Sequence, residues 1–421
     1  MDSSQLWPAG LYSVISKIHI EGVRSLSEFD CEFGPGITVV HGINGCGKTT
    51  LLESVHLLSQ GFSFRARDLK ELIAWKGDQF LIRGEFEEER LANQVNRAIR
   101  VGRRSCEVRE NGESLKSPTA FFGSLPAVVM QPSDIELLRG APEVRRSWLD
   151  EILCFRSPAN ASVLRRYRRV LQQRNKWLRD YKRSDGALSV GGEDLFHILT
   201  EQLIDLGAKL WAARLSLSKE ISPIITGYYR RLSGGVDEIT CAYKSSILKV
   251  LDALDGAEFL DDSDLDRVAF AAESGAPYRI ADNISGECDD GSVDEESLRI
   301  AYGRKLSGLE IAEKSFGGTL AGPHRDDLGV CIGGAEMRSS GSQGQCRSAA
   351  VAMRFAAVDV ASRYLSKPIL LLDDIFAELD VNRRDSVATL IREKGCQVII
   401  ATPQFEELPF KADAEIGLSL K

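Results

Sequence analysis

Nine consecutive residues, Gly42-Ile43-Asn44-Gly45-Cys46-Gly47-Lys48-Thr49-Thr50, carry the first chemistry legible in this chain. Glycines at this spacing let backbone N–H groups point into one concave loop, where an anion fits. The pattern G-x-x-x-x-G-K-[ST] adds a lysine that can reach β- and γ-phosphates and a hydroxyl, that of Thr49, suited to Mg²⁺. Far along the chain, Ile369-Leu370-Leu371-Leu372 runs into Asp373-Asp374. A buried parallel strand accounts for the apolar run but not for two adjacent carboxylates at its end. Ligands bind at the carboxyl ends of such strands. Asp373 is therefore expected to hold Mg²⁺, directly or through water, and Asp374 to orient an attacking water. Ser342, Gly344 and Gln345, in "SSGSQGQCRS", open a helix and would form a second anion site. One ATP hardly needs two phosphate cradles from one subunit, so Ser342–Gln345 is assigned to nucleotide held by a second copy of the chain. Asp380, in "AELD", could reach across the same dimer interface.

The loop needs a strand before it and a helix after it. Ile37–Val40 is a short β-branched run suited to a central strand, and Thr49–Leu58 reads as a helix with Leu51, Leu52, Val55 and Leu58 on one face. "YSVISKIHIEG" and "SEFDCEFG" alternate like half-buried antiparallel strands, "FLIRGEFE" and "AIRVGRRSCEVREN" give a further strand and a hairpin, and Asn111-Gly112 marks a turn. From about Ser117 to Leu298 helices dominate, with Leu164, Tyr167, Leu171, Leu178 and Tyr181, then Leu195, Leu199, Leu203, Leu206 and Leu210, at helical spacing. Strand–helix alternation resumes after Gly322. The expected architecture is α/β: one domain built from both chain ends, residues 1–116 and 300–421, with a mainly helical domain, 117–299, inserted between them.

Charge is unevenly placed. The net charge of −8 conceals 12 Arg/Lys against 3 Asp/Glu between Arg145 and Arg183, and 17 Asp/Glu against 5 Arg/Lys between Asp237 and Arg299. The first segment, through Arg165, Arg166, Arg168 and Arg169, reads as a surface for DNA phosphates, independent of sequence and weakened by salt. A plain solvated helix face, with Arg174 included, is the alternative. The acidic stretch reads as a solvated face with loops. Nine scattered cysteines without a CxxC pair argue against a zinc ribbon or a disulfide framework and for a reducing, intracellular setting. No signal peptide is expected, and no apolar run reaches the 18 residues a membrane span needs. Gly322-Pro323-His324-Arg325-Asp326-Asp327 is expected to be a structured loop whose Arg325 and acids fix the Ser342–Gln345 region, since it offers no second histidine for a metal site.

The P-loop, "SQGQCR" and "ILLLDDIFAELD", in this order, resemble the ABC-type ATPase heads of SMC and Rad50 proteins. "GFSFRARDLKELIAWKG", "QPSDIELLRGAPEVRRSWLDEIL", "LRRYRRVLQQRN" and "TLAGPHRDDL" narrow the resemblance to the RecF family of bacterial recombination mediators, which lacks the long coiled coils of SMC and Rad50. The resemblance implies an ABC-type fold and an ATP-dependent homodimer with Mg²⁺. It also implies slow, DNA-dependent ATP hydrolysis used as a switch, and binding to gapped or stalled-fork DNA. RecR and RecO would be partners in loading RecA, in the bacterial cytoplasm at the nucleoid. It places Gln131 of "VVMQPSD" near metal or water. Arg24 of "IEGVRSL" falls where related heads have a nucleotide-contacting arginine, or is an ordinary surface arginine. The last strand runs into Ala401-Thr402, so the switch histidine of ABC transporters is missing. Two other readings remain open on the residues: an SMC-like chromosome-organising head without arms, and a small-molecule kinase, which would leave Ser342–Gln345 unexplained.

Overall fold

The computed structural model describes residues 13–88, 93–184, 192–235, 237–255, 294–403 and 405–419. The core of the acidic stretch, 256–293, most of the "SDGALSVGGED" connection and the first twelve residues, where no signal peptide is expected, lie outside the described residues.

Two sheets enclose the P-loop helix. Alternation in β1 (Ser13–Val23) turns Ile18 and Ile20 inward, and β1 pairs antiparallel with β2 (Leu26–Glu32) and β4 (Gln79–Glu88). With β5 (Asn93–Gly102), β6 (Cys106–Glu110) and β7 (Glu113–Leu115) they form a sheet in the order β2-β1-β4-β5-β6-β7. Asn111 and Gly112, at φ of 50° and 85°, make the two-residue turn from β6 to β7. Positive φ at both centres matches the twist of a hairpin. The second sheet is parallel throughout, in the order β14 (Ala414–Gly417), β3 (Ile37–His41), β13 (Val398–Thr402), β12 (Ile369–Asp373), β8 (Ala127–Met130). Both ends of the chain thus meet in one sheet. β8 comes from the segment expected to be helical. Its four residues, AVVM, are all buried and too few for a periodicity to show.

α1 (Lys48–Gln60) packs between the sheets, in one core with Ile18, Ile82 and Ile99 of the first and Val129, Leu371 and Ile399 of the second. This is why it is buried nearly all round, Glu53 and His56 included, and not along one face as its periodicity suggests. The His56 ring is 1% exposed, its Nδ1–H donates to Phe62 O at 2.9 Å, and burial lowers its pKa to about 4. The unfolded imidazole titrates near the ordinary value of about 6.5, so between these values the unfolded chain binds the extra proton. Stability should be fully present above pH 6.5 and decline as pH falls toward 4, by about 3 kcal/mol from this group. A urea midpoint that stays flat between pH 7 and 4.5 would contradict this.

On the opposite face of the parallel sheet Leu370 and Leu372 meet the helices. These are α3 (Pro142–Arg156), α4 (Pro158–Arg183), α5 (Gly192–Ser233), α6 (Ser246–Asp255), α7 (Glu295–Phe316), α9 (Gln343–Tyr364) and α10 (Val381–Lys394), with short α2 (Glu136–Arg139) and α8 (Met337–Ser340) between. The apolar row of α5 runs through Phe196, Leu199, Leu203, Leu206 and Leu210, whereas Leu195 is 49% exposed. A three-stranded antiparallel sheet, β11 (Ala335–Glu336), β10 (Asp327–Ile332) and β9 (Ile239–Lys244), joins the helical segment to the C-terminal part.

Candidate functional site

The loop from β3 to α1 is shaped by its glycines. Gly42, Gly45 and Gly47 have φ of 151°, 85° and 107°, values an L side chain rarely adopts. A Cβ on Gly42 would lie 2.2 Å from Leu418 O, and one on Gly47 2.6 Å from Leu26 Cδ2. Lys48 is buried, and its ammonium donates to Gly42 O at 2.7 Å and Ile43 O at 3.0 Å, which holds it across the cradle. Ile43, Asn44 and Gly45 are exposed, Thr49 is half-buried and Thr50 is buried. Cys46 is 4% exposed and packs in the core shared with Leu26 and Leu51, so its thiol serves as filling beneath the loop.

The Thr49 hydroxyl donates to Asp373 Oδ1 at 2.9 Å. This bond joins the P-loop to the carboxyl end of β12, 324 residues away. Burial raises the Asp373 pKa, with the Thr49 hydrogen bond, Arg65 and Lys48 acting in the opposite direction. Asp374 follows at φ 52°, ψ 29°, a left-handed residue whose N–H donates to Ala401 O at 2.9 Å. Such a conformation costs energy in any residue but glycine and clusters at functional sites. β8 pairs Met130 with Leu372, so the next residue, Gln131, comes out beside Asp373 at the same sheet edge. The backbone N–H of Gln131 donates to Asp134 Oδ2 at 2.9 Å, and Asp134 is tied to Arg354 of α9 at 2.6 Å.

Ser342 caps α9. Its hydroxyl accepts from the Gln345 N–H at 3.2 Å, while Gln345 Oε1 accepts from the Ser342 N–H at 2.9 Å. This capping box leaves the serine O–H proton free to donate outward. The Gln345 amide donates to Asp237 at 2.8 Å, and Gly344 lies against Arg383 of α10. Asp380 caps α10, accepting from the Arg383 N–H at 3.0 Å and its guanidinium at 2.7 Å. Ser342–Gln345 thus lies beside Asp237 and Arg383, with Asp380 bound to Arg383, whereas the P-loop lies beside Leu26, Leu418 and Asp373.

Arg24, left-handed at φ 48°, forms a two-pronged ion pair with fully buried Glu53 of α1, at 2.8 and 3.0 Å. It is therefore fastened to the helix that carries Lys48 and Thr49. Arg65, which no motif singles out, reaches Glu53 at 3.9 Å and acts on the Asp373 charge. Its only trace in the sequence is its place in "GFSFRARD".

The Gly322–Asp327 loop does not fix the Ser342–Gln345 region as expected. Asp327 is paired with Arg145 of α3 at 2.6 Å, Asp326 accepts from Trp211 and Tyr243, and Arg325 donates to Thr319 O at 3.2 Å. His324 Nδ1 meets the Tyr167 hydroxyl at 2.7 Å, and burial lowers its pKa to about 4. The loop is a buried polar knot joining α3, α4, α5 and β9.

On α4, Leu164, Tyr167 and Val170 face inward, which leaves Arg165, Arg166, Arg168 and Arg169 exposed on the other face. Arg168 reaches Asp150 at 3.0 Å, and among the described residues Arg165, Arg166 and Arg169 make no ion pair. Arg174 does not belong to that face. It is 1% exposed, bound to Glu313 at 2.6 Å and to Thr200 and Thr319, with its guanidinium over Phe196. Arg145 is likewise internal, so the net charge of the segment overstates the free basic surface.

Residues 14–420 match the family model described as RecF/RecN/SMC N terminal domain. The chain is 30% identical over 395 residues to the DNA replication and repair protein RecF of Geobacter sulfurreducens, and 29% to that of Geobacter metallireducens, each covering 94% of both chains. A structure described as the recombination mediator protein RecF-ATP in the RecFOR pathway superposes with a TM-score of 0.77 at 23% identity, covering 97% of this chain and 98% of the other. An Smc head domain from Pyrococcus furiosus, with an extended coiled coil, gives 0.52 at 16% identity over 97% and 94%. Among the described residues no helix is long and apolar enough to cross a membrane. The fold is that of an ABC-type ATPase head, and the chain belongs to the RecF family.

Proposed function

We propose that the chain is an ATP-switched, DNA-binding recombination mediator, acting in DNA repair and replication at gapped DNA and stalled forks. The Thr49–Asp373 hydrogen bond carries the ATP half of this reading, because it brings the two halves of a phosphate and metal site to one sheet edge. The cradle supplies N–H groups and Lys48 to the phosphates. The hydroxyl of Thr49 and the carboxylate of Asp373, with the Gln131 amide in the adjacent register, make an oxygen donor set that fits Mg²⁺. Bound there, the ion would neutralise charge on the β- and γ-phosphates. Ser342, Gly344 and Gln345 of a second copy would close the nucleotide, so ATP favours a homodimer and slow hydrolysis at Asp374 releases it. The working units are the ATPase head, 1–116 and 300–421 together with β8, and the helical remainder of 117–299. Membership of the RecF family supports RecO and RecR as partners in loading RecA.

DNA, single-stranded, gapped or duplex, would lie across Arg165, Arg166, Arg168 and Arg169 through its phosphates, without base readout. Binding measured over a salt series tests this. Changing all four arginines to glutamine should lower the slope of log affinity against log salt by about one for each phosphate that is no longer neutralised. An unchanged slope would place the DNA elsewhere.

A further inference from the structure

We propose that Arg383 is a further phosphate-positioning residue, which reads the nucleotide of the opposite copy together with Ser342. This deepens, and rests on, the reading of Ser342–Gln345 as a site for nucleotide held by a second chain.

The geometry at Gly344 is unusual for a helix N-terminus. A Cβ there would come within 2.8 Å of Arg383 Nη1 and 3.1 Å of Nη2, so glycine is needed for the guanidinium to lie over the first turn of α9. The positive end of a helix disfavours a cation and favours an anion. Arg383 is held in that place by Asp380, which takes both its guanidinium and its backbone N–H, and it keeps 31% of its side chain exposed. A guanidinium has five donors, and Asp380 engages one of them at 2.7 Å. The N-terminus of α9, the Ser342 hydroxyl that caps it and the Arg383 guanidinium therefore lie together at Gly344. Phosphate oxygens accept from both side chains and suit the positive end of the helix. A γ-phosphate arriving from the opposite chain would offer an anionic acceptor to the guanidinium donors that Asp380 leaves unused.

The test pairs two lesions on different chains. In a dimer whose sites each combine one copy's P-loop with the other's Arg383, mixing Asp374→Asn chains, which should still assemble in ATP, with Arg383→Ala chains gives heterodimers with one doubly impaired and one intact site. ATP turnover of the mixture should exceed the sum of the separate samples severalfold. Turnover equal to that sum means that Arg383 acts within its own chain or only braces α10, and overturns the proposal. Arg383→Ala alone should weaken ATP-driven dimerisation about tenfold or more, the scale of one lost hydrogen bond to a charged group, and Arg383→Lys should recover part of it. Gly344→Ala, which displaces the guanidinium without altering Ser342, should reproduce the defect. The urea midpoint of nucleotide-free Arg383→Ala shows whether the fold is kept. Wild-type chains that stay monomeric in ATP would instead defeat the dimer reading itself.

Discussion

The Lys48→Arg chain should remain monomeric at ATP concentrations that convert the wild type to dimers, as read by sedimentation or light scattering. The Lys48 ammonium occupies a narrow position, buried and bonded to Gly42 O and Ile43 O at 2.7 and 3.0 Å. An ammonium can turn from those carbonyls to phosphate oxygens within the same slot. A planar guanidinium is wider and keeps its donors in a fixed fork, so the exchange fails although the charge is conserved. Each lost hydrogen bond to a charged group costs about 1.5–3 kcal/mol. Two such bonds, to the β- and γ-phosphates, correspond to roughly two to four orders of magnitude in nucleotide affinity. A dimer closed by two nucleotides loses that amount twice, so assembly is more sensitive than binding. The nucleotide-free fold should be unaffected, because Lys48 lies at the first turn of α1 and the core residues Leu51, Leu52 and Val55 keep their places. A Lys48→Arg chain that dimerises at wild-type ATP concentrations would remove nucleotide from the assembly mechanism.

The parts of the site that can be read in the sequence are those whose chemistry is local. The P-loop shows because three glycines must adopt positive φ within six residues, and the Asp373-Asp374 pair shows because it ends an apolar strand. The Ser342–Gln345 segment shows because a serine beside a glycine opens a helix, which makes an anion site. What escapes depends on partners far away. Counting charge from Arg145 to Arg183 treats every arginine as free, yet Arg145 is paired across 182 residues and Arg174 across 139. The periodicity of α1 reports one apolar face and cannot report that a second sheet covers the other. The acids of Gly322–Asp327 point, by sequence proximity, to the Ser342–Gln345 segment, whereas their partners come from α3, α5 and β9. Arg65 and Arg383 follow no spacing rule, because each matters through one contact, with Glu53 and with Gly344.

Asp374→Asn should separate assembly from turnover. The substitution suits the backbone, since asparagine tolerates the left-handed conformation that Asp374 adopts at φ 52°. The N–H of residue 374 keeps its bond to Ala401 O, so the turn that ends β12 is preserved. An amide in place of a carboxylate loses the charge and the proton acceptor that would align and polarise a water. Loss of a positioned base typically costs about 10²–10⁴ in rate, and steady-state ATP turnover should fall on that scale. ATP-driven dimerisation should persist, because Lys48, the loop N–H groups, Thr49 and Asp373 are untouched. The same change at Asp373 would behave differently: it weakens the acceptor of the Thr49 hydroxyl and the metal set together, so binding and turnover should decline in parallel. DNA held by Asp374→Asn dimers should dissociate more slowly than from the wild type in ATP and show the same salt slope, since α4 is unchanged. Wild-type turnover by Asp374→Asn would mean that water is aligned by another group at this sheet edge, with Gln131, beside Asp373 in the β8–β12 register, the next residue to change.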